Sequence, residues 1–319
     1  MIGKLDNLDA RIPSWNFSDL VVRDCPICRS GGQESCVRPD NLTVNHCSVC
    51  NTWFVSPAPS ETQLGDFYAQ YGRIHRRTEL PDREFARIVK NTNPLTSPII
   101  QEIISLMSLK GKRCLDIGFG RGYYLNFFRS LGAVPEGIEL DAAAITYARE
   151  YLQVPDVKRA TIFEIGDTAR YDVITMIDFI EHPLNPAEAF EKAASLLNDR
   201  GLMVVWTPNG SFAGEDPESI MFRVDLEHMQ YLSFKTCEFL ARKTGLDIVH
   251  LEGVGFPDLC DMDKISARDT SRLSLGTKVR AAIKALPGFQ KADRIRQALR
   301  RDIQRTGRYH LFCIFRKPG

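Results

Sequence analysis

Three things are scarce in this 319-residue chain, and each scarcity narrows what it can do. Net charge is the first. Against 41 Lys and Arg stand 40 Asp and Glu, a formal balance of +1, so the molecule as a whole is not an obvious polyanion binder. Apolar length is the second: no run approaches the ~20 residues of a membrane-spanning helix. The opening stretch, MIGKLDNLDARIPSW, lacks a positive region followed by an apolar run, so no secretory signal is expected. The third is repetition, of which none is visible. The expectation is a soluble cytoplasmic protein without a membrane partner, long enough for an ordinary core plus one small module.

Cysteine is plentiful and odd in number, at 9. Without a secretory signal these are read as thiols and metal ligands, not a disulfide framework. Cys25-Pro-Ile-Cys28 is followed 18 residues later by Cys47-Ser-Val-Cys50. Each knuckle turns two sulfurs toward one ion and two knuckles complete a tetrahedron, the pattern of a closed, structural Zn²⁺ site. So small a segment needs that metal for folding energy. Four ordinary thiols, or two redox pairs, are the competing reading, and Cys36 and His46 fit less regularly as substitute ligands. The expected organisation is a zinc-ribbon-like module over 1–60, a helical connector over 61–110 and a catalytic domain over 111–319. Ser60 caps the first connector helix, and the helical pattern from Asp82 to Lys110 is interrupted at Pro94 and Pro98.

The chain is organised around KRCLDIGFGRGYY, Lys112–Tyr124. A short apolar strand, Arg113–Ile117, breaks into Gly118-Phe119-Gly120-Arg121-Gly122, and an apolar-periodic helix follows. Glycines there let the backbone turn tightly and a ligand lie against it. The next strand, Val134–Leu140, carries Glu139 near its C-terminal end, where a carboxylate can accept from two ribose hydroxyls. A nicotinamide fingerprint wants a glycine one place after Gly122, and Tyr123 stands there. A nucleoside site without a pyrophosphate is therefore expected.

Strands and helices then alternate: a helix over Asp141–Gln153, a weak strand over Asp156–Arg159, the apolar strand Tyr171–Ile177, a helix through Leu197 and the strand Leu202–Trp206. Ser233 caps a helix ending at Gly245, Leu246–Leu251 is the next strand, and Tyr309–Phe315 is expected as an edge strand. Between the last two lies an insertion, 257–307, with two amphipathic helical patterns. From Lys264 to Lys317 there are fifteen Lys or Arg against three Asp, which reads either as a solvated helical pair or as a cationic lid.

The Gly-x-Gly-x-Gly spacing behind Asp116 resembles motif I of the class I S-adenosylmethionine-dependent methyltransferases. Further strings resemble one branch of them: Asp172-Val173-Ile174 through Ile180-Glu181-His182-Pro183, then Trp206-Thr207-Pro208-Asn209, then Glu227-His228 with Tyr231 and Ser233-Phe234. The paired cysteine knuckles also recur in relatives that act on sugars, nucleotide sugars and other small molecules. The resemblance covers about 20–255 and the final strand, not the insertion. It implies an α/β fold with a doubly wound, mostly parallel seven-stranded sheet. It also implies S-adenosylmethionine bound at Asp116, Gly118, Gly120, Gly122, Glu139 and Asp178. Many relatives carry an acid after the third strand, where this chain has Arg159-Ala160-Thr161-Ile162, and neither Glu164 nor Asp167 is assigned that role.

The donor's methyl is already activated as a sulfonium, so the protein must align the acceptor and remove its proton. Histidine suits that task near neutral pH. His228 and His182 are the candidate bases, both beyond strand ends. Asp178, Glu181 and His182 offer a weaker site for Mg²⁺. The leading expectation is a methyltransferase for a small hydroxylated, phosphate-bearing acceptor such as a nucleotide sugar or glycan intermediate. An RNA methyltransferase with a zinc module is the second, and a non-catalytic zinc-ribbon interaction protein the third.

Overall fold

Two main sheets, of seven and five strands, and a separate two-stranded pair organise the chain, in a computed structural model that describes residues 3–9, 11–69, 81–215, 219–255 and 309–319. The N-terminal strands are β1 (Gly3–Lys4), β2 (Leu20–Val21), β3 (Gln33–Val37), β4 (Thr43–His46), β5 (Trp53–Val55) and β6 (Ala58–Pro59). Three helices follow: α1 (Glu61–Ala69), α2 (Asp82–Asn91) and α3 (Pro98–Leu106). The break between α2 and α3 falls at Pro94 and Pro98, where proline removes a helical donor. Ser60 stands at the start of α1 and its Oγ accepts from the Gln63 N–H.

The second half alternates as β7 (Arg113–Ile117), α4 (Tyr123–Ser130), β8 (Val134–Glu139), α5 (Ala142–Tyr147), β9 (Val157–Arg159), β10 (Tyr171–Ile177), α6 (Pro186–Ser195) and β11 (Leu197–Pro208). It closes with β12 (Gln230–Tyr231), α7 (Phe234–Thr244), β13 (Asp247–Val254) and β14 (His310–Arg316). Seven of these strands form one sheet in the order β13-β14-β11-β10-β7-β8-β9, parallel except where β14 meets its two neighbours. From β7 the chain runs outward through β8 and β9, then returns to β10 and β11 on the other side. That reversal opens a crevice between β7 and β10 at their carboxyl ends, where open α/β sheets bind ligands.

Three expectations are corrected by this arrangement. The strand Tyr309–Phe315 does not lie at the edge: β14 sits between β13 and β11, and β13 is the edge strand. Burial explains it, because His310–Phe315 is buried throughout, whereas β13 is half-exposed and carries Asp247, His250 and Glu252. The helix expected over 141–153 stops being α-helical at Tyr147 and widens into a π turn over Ala148–Leu152. The helix expected through Leu197 ends at Ser195, and β11 begins at Leu197, before Gly201. The patterns of the insertion, 257–307, lie outside the described residues.

The smaller sheet is ordered β1-β3-β4-β5-β12, so a strand from position 230 completes a sheet begun at position 3. Cys25, Ile27, Cys47, Cys50 and Phe54 pack into the same core as Leu115, Met176, Leu232 and Leu240 of the larger half. Burying a side chain such as Phe54 contributes about 1.5–3 kcal/mol, and here it ties the two halves together.

At Gly122 the glycine loop turns into α4 with φ at 70°, and a Cβ would meet Leu152 Cδ1 at 2.5 Å. Gly122→Ala is expected to lower folding stability by about 1–2 kcal/mol from the left-handed backbone, before any cost of displacing Leu152. Denaturant unfolding measures it; an unchanged midpoint would show that the loop relaxes freely.

Candidate functional site

The glycine loop follows from its backbone. Gly118 extends the sheet, its N–H donating to Ile138 O at 2.9 Å, and Gly122 N–H closes a turn on Phe119 O at 2.8 Å. Gly118, Gly120 and Gly122 all have positive φ, which Cβ-bearing residues rarely adopt. The ring of Phe179 lies 3.1 Å from where a Gly118 Cβ would stand, so the loop after β10 packs directly on this loop.

Glu139 ends β8 beside the loop. Its Oε2 accepts from Gly120 N–H at 3.0 Å, and its Oε1 accepts from the N–H groups of Leu140 and Asp141 at 2.6 and 3.2 Å. The carboxylate therefore fixes the loop, and a carboxylate has about four acceptor positions, which leaves capacity for a ribose hydroxyl. Asp116 is turned into the sheet, buried, with Thr175 Oγ1 donating to it at 2.7 Å. Burial, and secondarily the charge of Glu139, pushes its carboxyl up to about 7. Asp178 takes a positive φ of 47° as β10 ends, and its N–H donates to Trp206 O at 2.8 Å. Glu164 is used locally, accepting from Thr161 N–H at 2.7 Å, and Asp167 pairs with Lys192 at 2.5 Å.

If Glu139 holds the ribose of a nucleoside, Glu139→Ala should weaken S-adenosylmethionine by about 1.5–3 kcal/mol, the worth of hydrogen bonds to a charged group. Calorimetry returning wild-type affinity would remove Glu139 from the site.

Beyond β10 and β11 the chain gathers two histidines and a buried carboxylate. Glu181 is wholly buried; Thr207 Oγ1 donates to its Oε2 at 2.9 Å, and its Oε1 has no hydrogen-bond partner among the described residues. That free oxygen lies 4.0 Å from His228 Nε2. Burial, with the neighbouring Asp178 charge, holds the Glu181 carboxyl well above the ordinary range. His182 meets His228 edge to face, ring centroids 4.9 Å apart, and its Nδ1 bonds Tyr68 Oη at 2.7 Å. Enclosure in protein pushes His182 down to about 4, which keeps its ring neutral through the physiological range. Glu227 is buried beside Asp225, and burial first, then that charge, pushes its carboxyl up to about 7.

Ligand atoms of Glu181, His182 and His228 lie within 4.8 Å of one another; Asp178 is outside that set. Two imidazoles and one carboxylate are a poor match to the oxygen preference of Mg²⁺. They suit proton transfer: an imidazole for the proton and a buried carboxyl group facing it that can share that proton.

The four knuckle cysteines converge as well. Their sulfurs lie within 4.8 Å of one another, with Cys25–Cys50 and Cys28–Cys47 both at 3.4 Å. The knuckles are built alike. Arg29 N–H donates to Cys25 O at 2.9 Å and Asn51 N–H to Cys47 O at 2.8 Å, and both donors take left-handed φ near 60°. This closed, four-thiol donor set fits Zn²⁺. Cys36 and His46 stand apart from it: Cys36 is buried in β3, and His46 Nε2 bonds Asn51 Oδ1 at 2.7 Å.

Sequence reasoning missed Arg23, Arg38 and Thr207. Thr207 had a signal, since a hydroxyl at the end of a buried strand must find a partner. The arginines had none, because an isolated Arg in a polar segment reads as a solvated charge.

A family model of the methyltransferase domain matches residues 78–251. The ubiquinone biosynthesis O-methyltransferase of Marinobacter nauticus is 32% identical over 164 residues, which cover 49% of this chain and 65% of that protein. The chain thus spans less than two thirds of that relative's length. The protein of the same description from Bordetella bronchiseptica is 28% identical over 221 residues, covering 62% of this chain and 87% of the relative. A candidate sarcosine dimethylglycine methyltransferase from Galdieria sulphuraria shares the fold with a TM-score of 0.54 at 20% identity, over 80% of this chain and 98% of that one. Among the described residues no helix is long and apolar enough to cross a membrane. With the reversing seven-stranded sheet and the glycine loop at its crevice, the family match places this chain among the class I S-adenosylmethionine-dependent methyltransferases.

Proposed function

We propose that this chain moves the methyl group of S-adenosylmethionine to a small hydroxylated molecule, with His228 as the base. The observation that carries the reading is His228 Nε2 at 4.0 Å from the free oxygen of buried Glu181, beside the crevice that Gly118 and Phe179 share. The donor, when bound, supplies a methyl carbon activated by its sulfonium sulfur, and the C–S bond breaks toward sulfur as the acceptor oxygen bonds that carbon. Gly118, Gly120, Gly122, Glu139 and Asp178 would line its pocket, with Glu139 on the ribose and Asp116 buried behind the loop on Thr175. His228 takes the acceptor's hydroxyl proton, and Glu181, whose raised carboxyl can share that proton, faces the ring at 4.0 Å. His182, kept neutral and bonded to Tyr68, orients the acceptor hydroxyl. Cys25, Cys28, Cys47 and Cys50 hold one structural Zn²⁺.

The acceptor we favour is a nucleotide sugar or glycan intermediate, on the cysteine knuckles and the Glu227-His228 segment together. The names of the relatives speak for a hydroxyl acceptor in a quinone precursor. Incubation with methyl-labelled donor and a panel of nucleotide sugars, phenols and RNA separates these. Label in the small-molecule fraction is the expected result. Label in RNA would reverse the preference, and no label in any acceptor would favour a non-enzymatic interaction protein.

A further inference from the structure

We infer that Arg23 and Arg38, two arginines of the cysteine-bearing module, are positioning residues for His228, holding the 226–231 segment so that the imidazole stays against Glu181 and His182. The inference rests on the reading of His228 as the base. The segment has little structure of its own: Asp225 takes a left-handed φ of 50°, and β12 is two residues long. Its backbone carbonyls are instead gripped from outside.

Arg38 is wholly buried. Its Nη1 donates to His228 O and its Nη2 to Leu226 O, both at 2.6 Å. Asp40 holds the same guanidinium from behind, at 3.1 and 2.6 Å, and is itself fixed by Trp15 Nε1 at 2.9 Å. A buried cation persists only where its charge is paired and its donors are used, so the fork and the two carbonyls are mutually required.

Arg23 spans two loops at once. Its Nη2 donates to Met229 O at 2.6 Å, one residue after His228, and its Nη1 donates to Leu184 O at 3.0 Å, two residues after His182. Its Nε is anchored on Val55 O at 2.9 Å. One rigid guanidinium therefore sets the spacing between the two histidine-bearing loops. Met229 N–H on Glu181 O at 2.8 Å and Gln230 Nε2 on the carbonyls of Ile180 and Pro183, both 2.8 Å, lock the same two loops from their own side. Lysine offers a point charge without the fork, so it cannot meet all of these carbonyls in the same geometry.

The test reads the imidazoles directly, by nitrogen-edited NMR of ¹⁵N-histidine protein, with His228→Ala used to assign the His228 ring signal. In Arg23→Lys and Arg38→Lys the His228 signal should shift or broaden, and amide exchange over 226–231 should rise by about tenfold or more. The ring signal of His46, in the same module but bonded to Asn51, should stay in place, and S-adenosylmethionine affinity should hold. An unmoved His228 signal with unchanged exchange in a folded variant overturns the inference. So does a His46 signal that moves along with it, since that is general loosening of the module. If Arg38→Lys fails to fold, Arg23→Lys and Arg23→Gln decide. None of these readings depends on turnover, so failure of His228 as the base would be seen separately, in the rate of His228→Ala.

Discussion

His228→Ala should lower methyl transfer by about 10²–10⁴-fold, the range spanned by loss of a positioned general base, while affinity for S-adenosylmethionine stays at the wild-type value. The split follows from where the ring sits. His228 belongs to the segment that β12 fastens to the smaller sheet, and its neighbours are Glu181 and His182, whereas the glycine loop is held by Glu139. Steady-state rates paired with donor calorimetry check both halves. A loss below tenfold would move the role to His182, whose Nδ1 already bonds a tyrosine hydroxyl. Equal losses of donor affinity and turnover would instead mean that the segment shapes the donor pocket.

The other large effect concerns the metal. Structural zinc sites supply about 10–16 kcal/mol of apparent binding energy at neutral pH, comparable to the whole ~5–15 kcal/mol stability of a domain. Here the four sulfurs do not close off a separable appendage. Three of them are buried in the core that also holds Leu115 and Met176, and Cys50 O accepts from Thr236 Oγ1 at 3.1 Å, at the start of α7. Cys47→Ser should therefore abolish stoichiometric zinc and lower the melting temperature by about 10 °C or more. Elemental analysis and calorimetry together measure it. A protein that is metal-free under reducing conditions, with four freely titrating thiols and an unchanged melt, would contradict the zinc reading.

What the sequence made legible was local. The strand, glycine turn and helix at 113–130 could be read because glycine is needed where φ is positive, and Gly118, Gly120 and Gly122 all have it. The cap of α7 was legible in the same way: Ser233 accepts from Thr236 N–H, and Gly245 ends the helix at φ 68°. The spacing of the knuckles followed from metal geometry, and it brought four sulfurs together. What was hidden depends on partners distant in sequence. β12 has two residues and no period, so nothing marks Gln230–Tyr231 as the last strand of a sheet built from residues 3–55. The order of β13 and β14 is a tertiary choice, although Leu311–Phe315 is an unbroken apolar run of the kind that sits inside a sheet. The π turn at Ala148–Leu152 keeps its apolar residues buried while abandoning the helical hydrogen-bond pattern, so periodicity could not reveal it. Arg38 looks like any surface charge until the carbonyls of Leu226 and His228 are brought to it.

The claim on which the rest stands is that the crevice at Gly118–Gly122 and Glu139 is a working nucleoside site. A calorimetric titration of the purified, zinc-replete chain with S-adenosylmethionine, repeated with the demethylated product S-adenosylhomocysteine, tests it without knowledge of the acceptor. The account predicts saturable binding of about one equivalent of each ligand per chain, as one crevice at one topological switch point requires. No saturable heat with either ligand, in folded protein supplied with Zn²⁺, would contradict it.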